Sequence, residues 1–205
     1  DTYVARLIRA GRKVAICDQV EDPALARGIV KREVTRIVTP GTATEEGVLQ
    51  AKEHHYLAAL CRRDESHALA LLDLSTGDFS VEESSNPSTL RDACRRALPA
   101  ECLFPADQAN APWLQTVLQG SDAVRTPLDE WIFDPETAAD LLKRHFGVHS
   151  LEGFGSAHRP AAIGAAGGAP AVNTSTRWSK ARRSSVRAFT TMFSTIGAPP
   201  KCVTP

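Results

Sequence analysis

Two dipeptides, Asn86-Pro87 and Asp134-Pro135, do most to limit what this chain can fold into. An Asn or Asp side chain accepts the free N–H groups of a first helical turn. A proline just behind it loses nothing, because its missing N–H would have had no partner there. Each pair therefore marks the start of a helix. The first opens a helix through Leu90, Ala93, Ala97 and Leu98; the second opens one that buries Ala138, Leu141, Leu142 and Phe146 and stops at Gly147. Short apolar runs bracket both. Tyr56–Cys61, Ala68–Leu74, Phe79–Glu82 and Glu101–Phe104 read as strands, with Ser75-Thr76-Gly77-Asp78 as a hairpin turn. Pro112–Leu118 reads as a short helix and Ala123–Thr126 as a further strand. Hairpin strands followed by strand–helix alternation predict an α/β fold, a mixed sheet flanked by helices. Pro160–Ala169, rich in Ala and Gly for close packing, adds another helix.

Ahead of this lies a smaller unit. Val4, Leu7 and Ile8 fall on one face of a helix that Gly11 ends. Val14–Cys17 and Arg32–Val38 read as strands, the second β-branched and closed by Thr39-Pro40-Gly41, with a polar loop over Asp18–Gly28 between them. The chain opens with Asp1 directly in the helical pattern, so the unit reads as the tail of a small α/β domain. The expected organisation is residues 1–42 for this unit, 43–53 as a linker, 54–169 for the larger unit and 170–205 as a tail.

The tail differs in kind from the rest. The 205 residues carry 24 Lys and Arg against 24 acids, but every acid lies at or before Glu152. Residues 153–205 hold seven basic side chains and no acid, and residues 171–205 have no leucine and no helical periodicity. Two readings are open for this divergent basic segment: a disordered tail, or a frame shift near residues 169–172. No stretch approaches 18 consecutive apolar residues and no signal-peptide pattern opens the chain, which excludes a membrane-spanning helix and argues against secretion. Five cysteines (Cys17, Cys61, Cys94, Cys102, Cys202) are an odd number without a C-x-x-C pair, so reduced thiols in a cytoplasm are expected, with Cys17 in the core.

Few residues carry recognisable chemistry. Lys31, Arg32 and Arg36, with Arg27 nearby, form a basic cluster on or beside a strand. Such side chains contact phosphates and supply most sequence-independent DNA affinity, or else they guard a strand edge against aggregation. Asp73, Asp78, Glu101 and Asp134 lie on or near strand ends. Converging there, they would hold two Mg²⁺ ions and cleave phosphodiesters; kept apart, they are turn and cap residues. His54, His55, His67, His145, His149 and His158 show no metal-ligand spacing. The glycines at 153, 155, 164, 167 and 168 match neither G-x₄-G-K-[ST] nor G-x-G-x-x-G, so no ATP site is legible and they read as turn and packing positions.

Longer strings say more. Val14-Ala15-Ile16-Cys17-Asp18-Gln19-Val20-Glu21-Asp22-Pro23, Lys31-Arg32-Glu33-Val34 and Arg36-Ile37-Val38-Thr39-Pro40-Gly41-Thr42 closely resemble the MutS family of DNA mismatch-repair proteins. They match the end of that family's mismatch-recognition domain. Leu72-Asp73-Leu74-Ser75-Thr76-Gly77-Asp78-Phe79, Glu101-Cys102-Leu103 and Leu151-Glu152-Gly153-Phe154-Gly155 resemble its connector domain, whose fold is RNase-H-like, and Ala161–Gly168 resembles the segment leading out of it. The resemblance covers residues 1–169. It implies a parent protein that recognises mispaired or looped double-stranded DNA and couples this, through ATP and Mg²⁺, to recruitment of repair partners. It further implies a connector that is not a nuclease and that helps dock a MutL-like partner, and a cytoplasmic, nucleoid-associated homodimer. The family's Phe-x-Glu mismatch wedge and its ATPase motifs do not occur in this chain, so no catalytic or cofactor-binding residue is expected in it. Arg32, and with it Lys31 and Arg36, match positions where the family's first domain approaches the DNA backbone. Two other classes compete: an RNase-H-like nuclease, and a protein-interaction module with no nucleic-acid role.

Overall fold

The computed structural model describes residues 2–21, 29–42, 55–154 and 158–172. The expected linker over 43–53, most of the expected loop between the first two strands, and the tail beyond 172 lie outside the described residues.

The smaller unit consists of α1 (Thr2–Arg9) and the antiparallel pair β1 (Val14–Gln19) and β2 (Arg32–Val38). Gly11 ends the helix region at φ +71°, a conformation a Cβ would strain. The buried stripe of α1 is Ala5 and Ile8, with Val4 half-buried and Leu7 47 % exposed. This corrects the expected burial of Leu7. A two-stranded ribbon is narrow, and Val14, Ile16 and Val38 leave room beneath the helix for one row of side chains.

The larger unit runs β3 (Tyr56–Arg63), β4 (Ser66–Asp73), β5 (Phe79–Ser84), α2 (Pro87–Ala97), β6 (Glu101–Pro105), α3 (Pro112–Val117), β7 (Val124–Leu128), α4 (Pro135–Phe146) and α5 (Pro160–Val172). Its sheet has the order β5-β4-β3-β6-β7; β4 runs antiparallel to both β3 and β5, while β6 and β7 run parallel to β3. This is the mixed, helix-flanked sheet that the sequence predicts. Side chains alternate across the pleat. Leu57, Ala59 and Cys61 face a core with Phe133, Leu142, Ala161 and Ala165, from the side of α4 and α5. Ala58 and Leu60 face a second core with Leu90, Cys94, Leu114 and Val117, from α2 and α3.

Both predicted caps form. Asn86 accepts from the Ser88 N–H at 3.0 Å, and Asp134 accepts from the Thr137 N–H at 3.0 Å, which also lowers the Asp134 carboxyl pKa. Leu98 does not continue α2 into the core as its spacing predicts. It turns left-handed at φ +49° to lead into β6 and stands 80 % exposed, and Cys94 fills the buried position instead. Leu141, beside fully buried Leu142, is half-buried at the rim. Helix α5 continues through Pro170 to Val172, past the expected end at Ala169. Proline removes one hydrogen bond, and the buried face of Ala161, Ala165 and Ala169 holds the helix on the sheet regardless. Its first turn is capped from another element: the Ala162 N–H donates to Glu83 at 2.9 Å.

His67 on β4 is 5 % exposed, its ring centroid 5.2 Å from that of Trp113 and its Nδ1 3.3 Å from the Ser84 carbonyl oxygen. Burial lowers its pKa from 6.5. The unfolded chain therefore takes up the proton first, so the stability this histidine carries is present above pH ~6.5 and is lost as pH falls through the lowered folded value. Urea midpoints are expected to decline between about pH 7 and 5, and His67→Phe to flatten that part of the profile.

Candidate nucleic-acid interface

Arg32 and Arg36 lie on β2 and Lys31 immediately precedes it, and every residue of β2 except Val38 is exposed. Pairing runs Gln19 with Arg32, Asp18 with Glu33 and Cys17 with Val34, then skips to Ile16 with Arg36. Thr35 is thus the extra residue of a β-bulge, which bends and twists a strand locally. Its hydroxyl lies 2.5 Å from the Asp18 carboxylate and 3.3 Å from the Ile16 carbonyl oxygen.

The bulge decides which basic groups can act together. On a regular strand Arg32 and Arg36, four apart, would share a face. With Thr35 inserted, Arg36 falls on the face of Ile16 and Val38, against which α1 packs, whereas Arg32 falls on the opposite face beside Val34 and Ile37. Lys31 is held by Glu33, Nζ to Oε1 2.7 Å, and its backbone N–H donates to Glu21. That ion pair is exposed and worth under about 1 kcal/mol, so a phosphate can displace it. Arg32 makes no ion pair with a described residue. Cys17, expected in the core, lies on the face of Arg32 and is exposed, because it sits one position out of phase with buried-side Ile16.

The four acidic candidates do not converge. Asp73 pairs with Tyr56 and Glu101 with Leu57, consecutive residues of β3, so the two carboxylates point to opposite faces of the sheet. Each is fully buried and occupied. Asp73 accepts from the Ser75 N–H (2.8 Å), the Ser75 hydroxyl (2.7 Å) and the His55 N–H (3.3 Å). Glu101 accepts from the Gly41 N–H (3.0 Å) and the Thr126 hydroxyl (2.5 Å). Asp78 closes the β4–β5 turn, its carbonyl receiving the Asp73 N–H, and Asp134 caps α4. Among the described residues no three His, Cys, Asp or Glu side chains stand together as metal ligands. The two-metal arrangement of a nuclease is therefore contradicted by the geometry of the residues that would have to supply it. His54 and Cys202 lie outside the described residues.

Two contacts were not legible in the sequence. Gly41 and Glu101 are far apart along the chain, and no spacing rule links them. The Cys94 thiol of α2 and the Cys102 thiol of β6 are buried in one core, where their mutual interaction lowers the Cys94 pKa and, with burial, raises that of Cys102 well above the usual thiol value.

Comparison with known proteins now bears on the whole arrangement. The family model described as MutS domain II matches residues 55–169, and that described as MutS domain I matches residues 1–47. The chain belongs to the MutS family. It is 43 % identical over 170 residues to the DNA mismatch repair protein MutS of Solibacter usitatus, covering 80 % of this chain and 19 % of that protein. The MutS protein of Syntrophobacter fumaroxidans is 44 % identical over 167 residues, with the same coverage of each chain. That of Myxococcus xanthus is 42 % identical over 171 residues, covering 82 % of this chain and 19 % of its own length. The chain thus spans about a fifth of the length of these curated relatives. In MutS terms the domain I match contains the bulged ribbon and the domain II match the five-stranded sheet. Among the described residues no helix is long and apolar enough to cross a membrane.

Proposed function

We propose that this chain is a section of a DNA mismatch-repair protein in which the β1–β2 ribbon lies along the DNA backbone and the five-stranded unit connects it to the rest of the machine. The observation that carries this reading is the paired match to MutS domains I and II, in order, along residues 1–169. On this reading the whole protein recognises mispaired or looped duplex and couples recognition to recruitment of partners, a MutL-like protein among them, through an ATP- and Mg²⁺-dependent region that is not part of residues 1–169. It works in the bacterial cytoplasm as a homodimer. This chain contributes no catalytic group. Asp73, Glu101 and Asp134 are committed to a turn, internal hydrogen bonds and a helix cap, and the two matched domains are read as those of recognition and connection.

Within the ribbon, Arg32 is the phosphate ligand and Lys31 an exchangeable one. Arg36, exposed on the opposite face beside α1, is on this reading not a phosphate ligand alongside Arg32. Phosphate contacts are sequence-blind and release counterions, so each one lost reduces the slope of log affinity against log salt by about 0.9. Fluorescence anisotropy of a labelled duplex with the 205-residue chain, titrated at several salt concentrations, is expected to give weak binding with Kd of order 10⁻⁴–10⁻⁶ M. Arg32→Ala should lower the slope by roughly one and Arg36→Ala should leave it unchanged. Equal slopes for wild type and Arg32→Ala would favour a protein-interaction module without a nucleic-acid role.

A further inference from the structure

The turn after β2 is gripped from two sides by the larger unit. Thr39, Pro40 and Gly41 are all buried, although every β2 residue before Val38 is exposed. On the α4–α5 side of the sheet, the Gly41 N–H donates to Glu101 Oε2 at 3.0 Å, while the Thr126 hydroxyl of β7 holds the other carboxylate oxygen. Just before β3, His55 Nε2 lies 2.6 Å from the Pro40 carbonyl oxygen, and the His55 backbone N–H is itself held by Asp73. Only glycine fits the approach. A Cβ at position 41 would lie 2.6 Å from Glu101 Cβ and 2.6 Å from Leu57 Cδ1, where real Cβ contacts are not found.

We propose that Glu101 is a positioning residue, the buried acceptor that latches the turn of the ribbon onto the connector sheet and so ties the orientation of the DNA-contacting unit to it. A fully buried carboxylate is costly unless its oxygens are satisfied. Here one partner, Thr126 on β7, comes from the connector's own sheet and the other, Gly41, from the neighbouring unit, so docking of that unit completes the site. The ribbon in turn depends on docking. Two strands and an eight-residue helix bury only Ile8 and Val38 as a shared cluster, and an isolated hairpin is at best marginally stable in water. Order in β1 and β2 is therefore borrowed from the grip on Gly41 and Pro40. The relay role of the latch rests on the reading of the chain as a DNA-contacting ribbon plus connector. The latch itself does not, and its test uses no DNA.

The test is hydrogen–deuterium exchange of the full 205-residue chain, comparing wild type with Glu101→Leu and Gly41→Ala. Glu101→Leu removes both acceptor oxygens at similar side-chain volume, and Gly41→Ala inserts the colliding methyl group. In both variants the amides of residues 14–19 and 32–38 are expected to exchange roughly tenfold or more faster, the effect of leaving one buried N–H unsatisfied. Amides of β3 and β4 should keep wild-type protection. Unchanged exchange in the ribbon overturns the proposal. So does an equal loss of protection across β3, β4 and the ribbon, which would make Glu101 a residue of the general core. If Glu101→Leu does not fold, Thr126→Val supplies the same comparison by loosening the carboxylate from the other end, with a smaller effect in the same direction.

Discussion

Replacing Phe133 by Ala is expected to lower the stability of the five-stranded unit by about 3–5 kcal/mol, the range for a buried aromatic truncated to a methyl group. Phe133 is fully buried in the 3-10 turn Glu130–Phe133 that precedes α4. Its neighbours on α5 cannot close over the gap. The ring lies where a Cβ on Gly168 would sit 2.5 Å from its Cε1, and its carbonyl oxygen lies where a Cβ on Gly164 would sit 2.5 Å away, so α5 is built around this one residue. Its carbonyl also accepts from Arg63 Nη2 at 3.3 Å. Truncation leaves a cavity against α5, where Gly164 and Gly168 carry no side chain that could move into it. Urea unfolding followed by far-UV circular dichroism measures the loss; a midpoint within error of wild type would contradict this account of the α5 interface.

The second large effect comes from adding atoms. Gly167→Val is expected to cost about 3 kcal/mol, the upper part of the range for overpacking. A Cβ at position 167 would meet Ala138 of α4 2.8 Å from its Cα, and the obstruction is helix backbone, which cannot rotate aside as a side-chain tip would. Helices α4 and α5 would have to separate, exposing Leu142 and the alanine face of α5. Gly153→Ala is the control: nothing lies within 4 Å of the added methyl group, and the change should stay within about 0.5 kcal/mol. Thermal unfolding of the three chains side by side checks both statements. Because Phe133 and Gly167 serve the same interface, their effects should not add in the double variant.

Sequence patterning reached most of the fold through local chemistry. Asn86-Pro87 and Asp134-Pro135 place two helix starts to the residue, and β2 spans the Arg32–Val38 run that its β-branched residues mark. What escaped was set by tertiary geometry. Leu98 continues the apolar spacing of α2, yet the chain must turn there to enter β6, and nothing local announces a leucine at positive φ. Pro170 reads as a stop, but α5 is held by contacts along its alanine face. The bulge at Thr35 has no glycine or proline to signal it, and it alone separates Arg32 from Arg36. Carboxylates on two strands that flank a third also look alike in a sequence whether they converge or diverge; the offset of one residue between the β3 partners of Asp73 and Glu101 puts them on opposite faces.

Function was legible from extended strings and not from single residues. Lys31, Arg32 and Arg36 by spacing alone fit a guarded strand edge as well as a DNA contact. The family strings supply the context, and the bulge puts Arg32 and Arg36 on opposite faces of the ribbon.

The most direct test of the central claim is a chimera in which residues 1–169 of this chain replace the aligned segment of the Solibacter usitatus MutS protein, to which it is 43 % identical. Once the chimera is shown to fold by a cooperative thermal transition, its affinities for a duplex with a single mispair and for the matched duplex are compared by anisotropy. The account predicts that the chimera prefers the mispaired duplex by a ratio within about threefold of the parent's, a difference under about 0.7 kcal/mol. A folded chimera that binds both duplexes equally would contradict it.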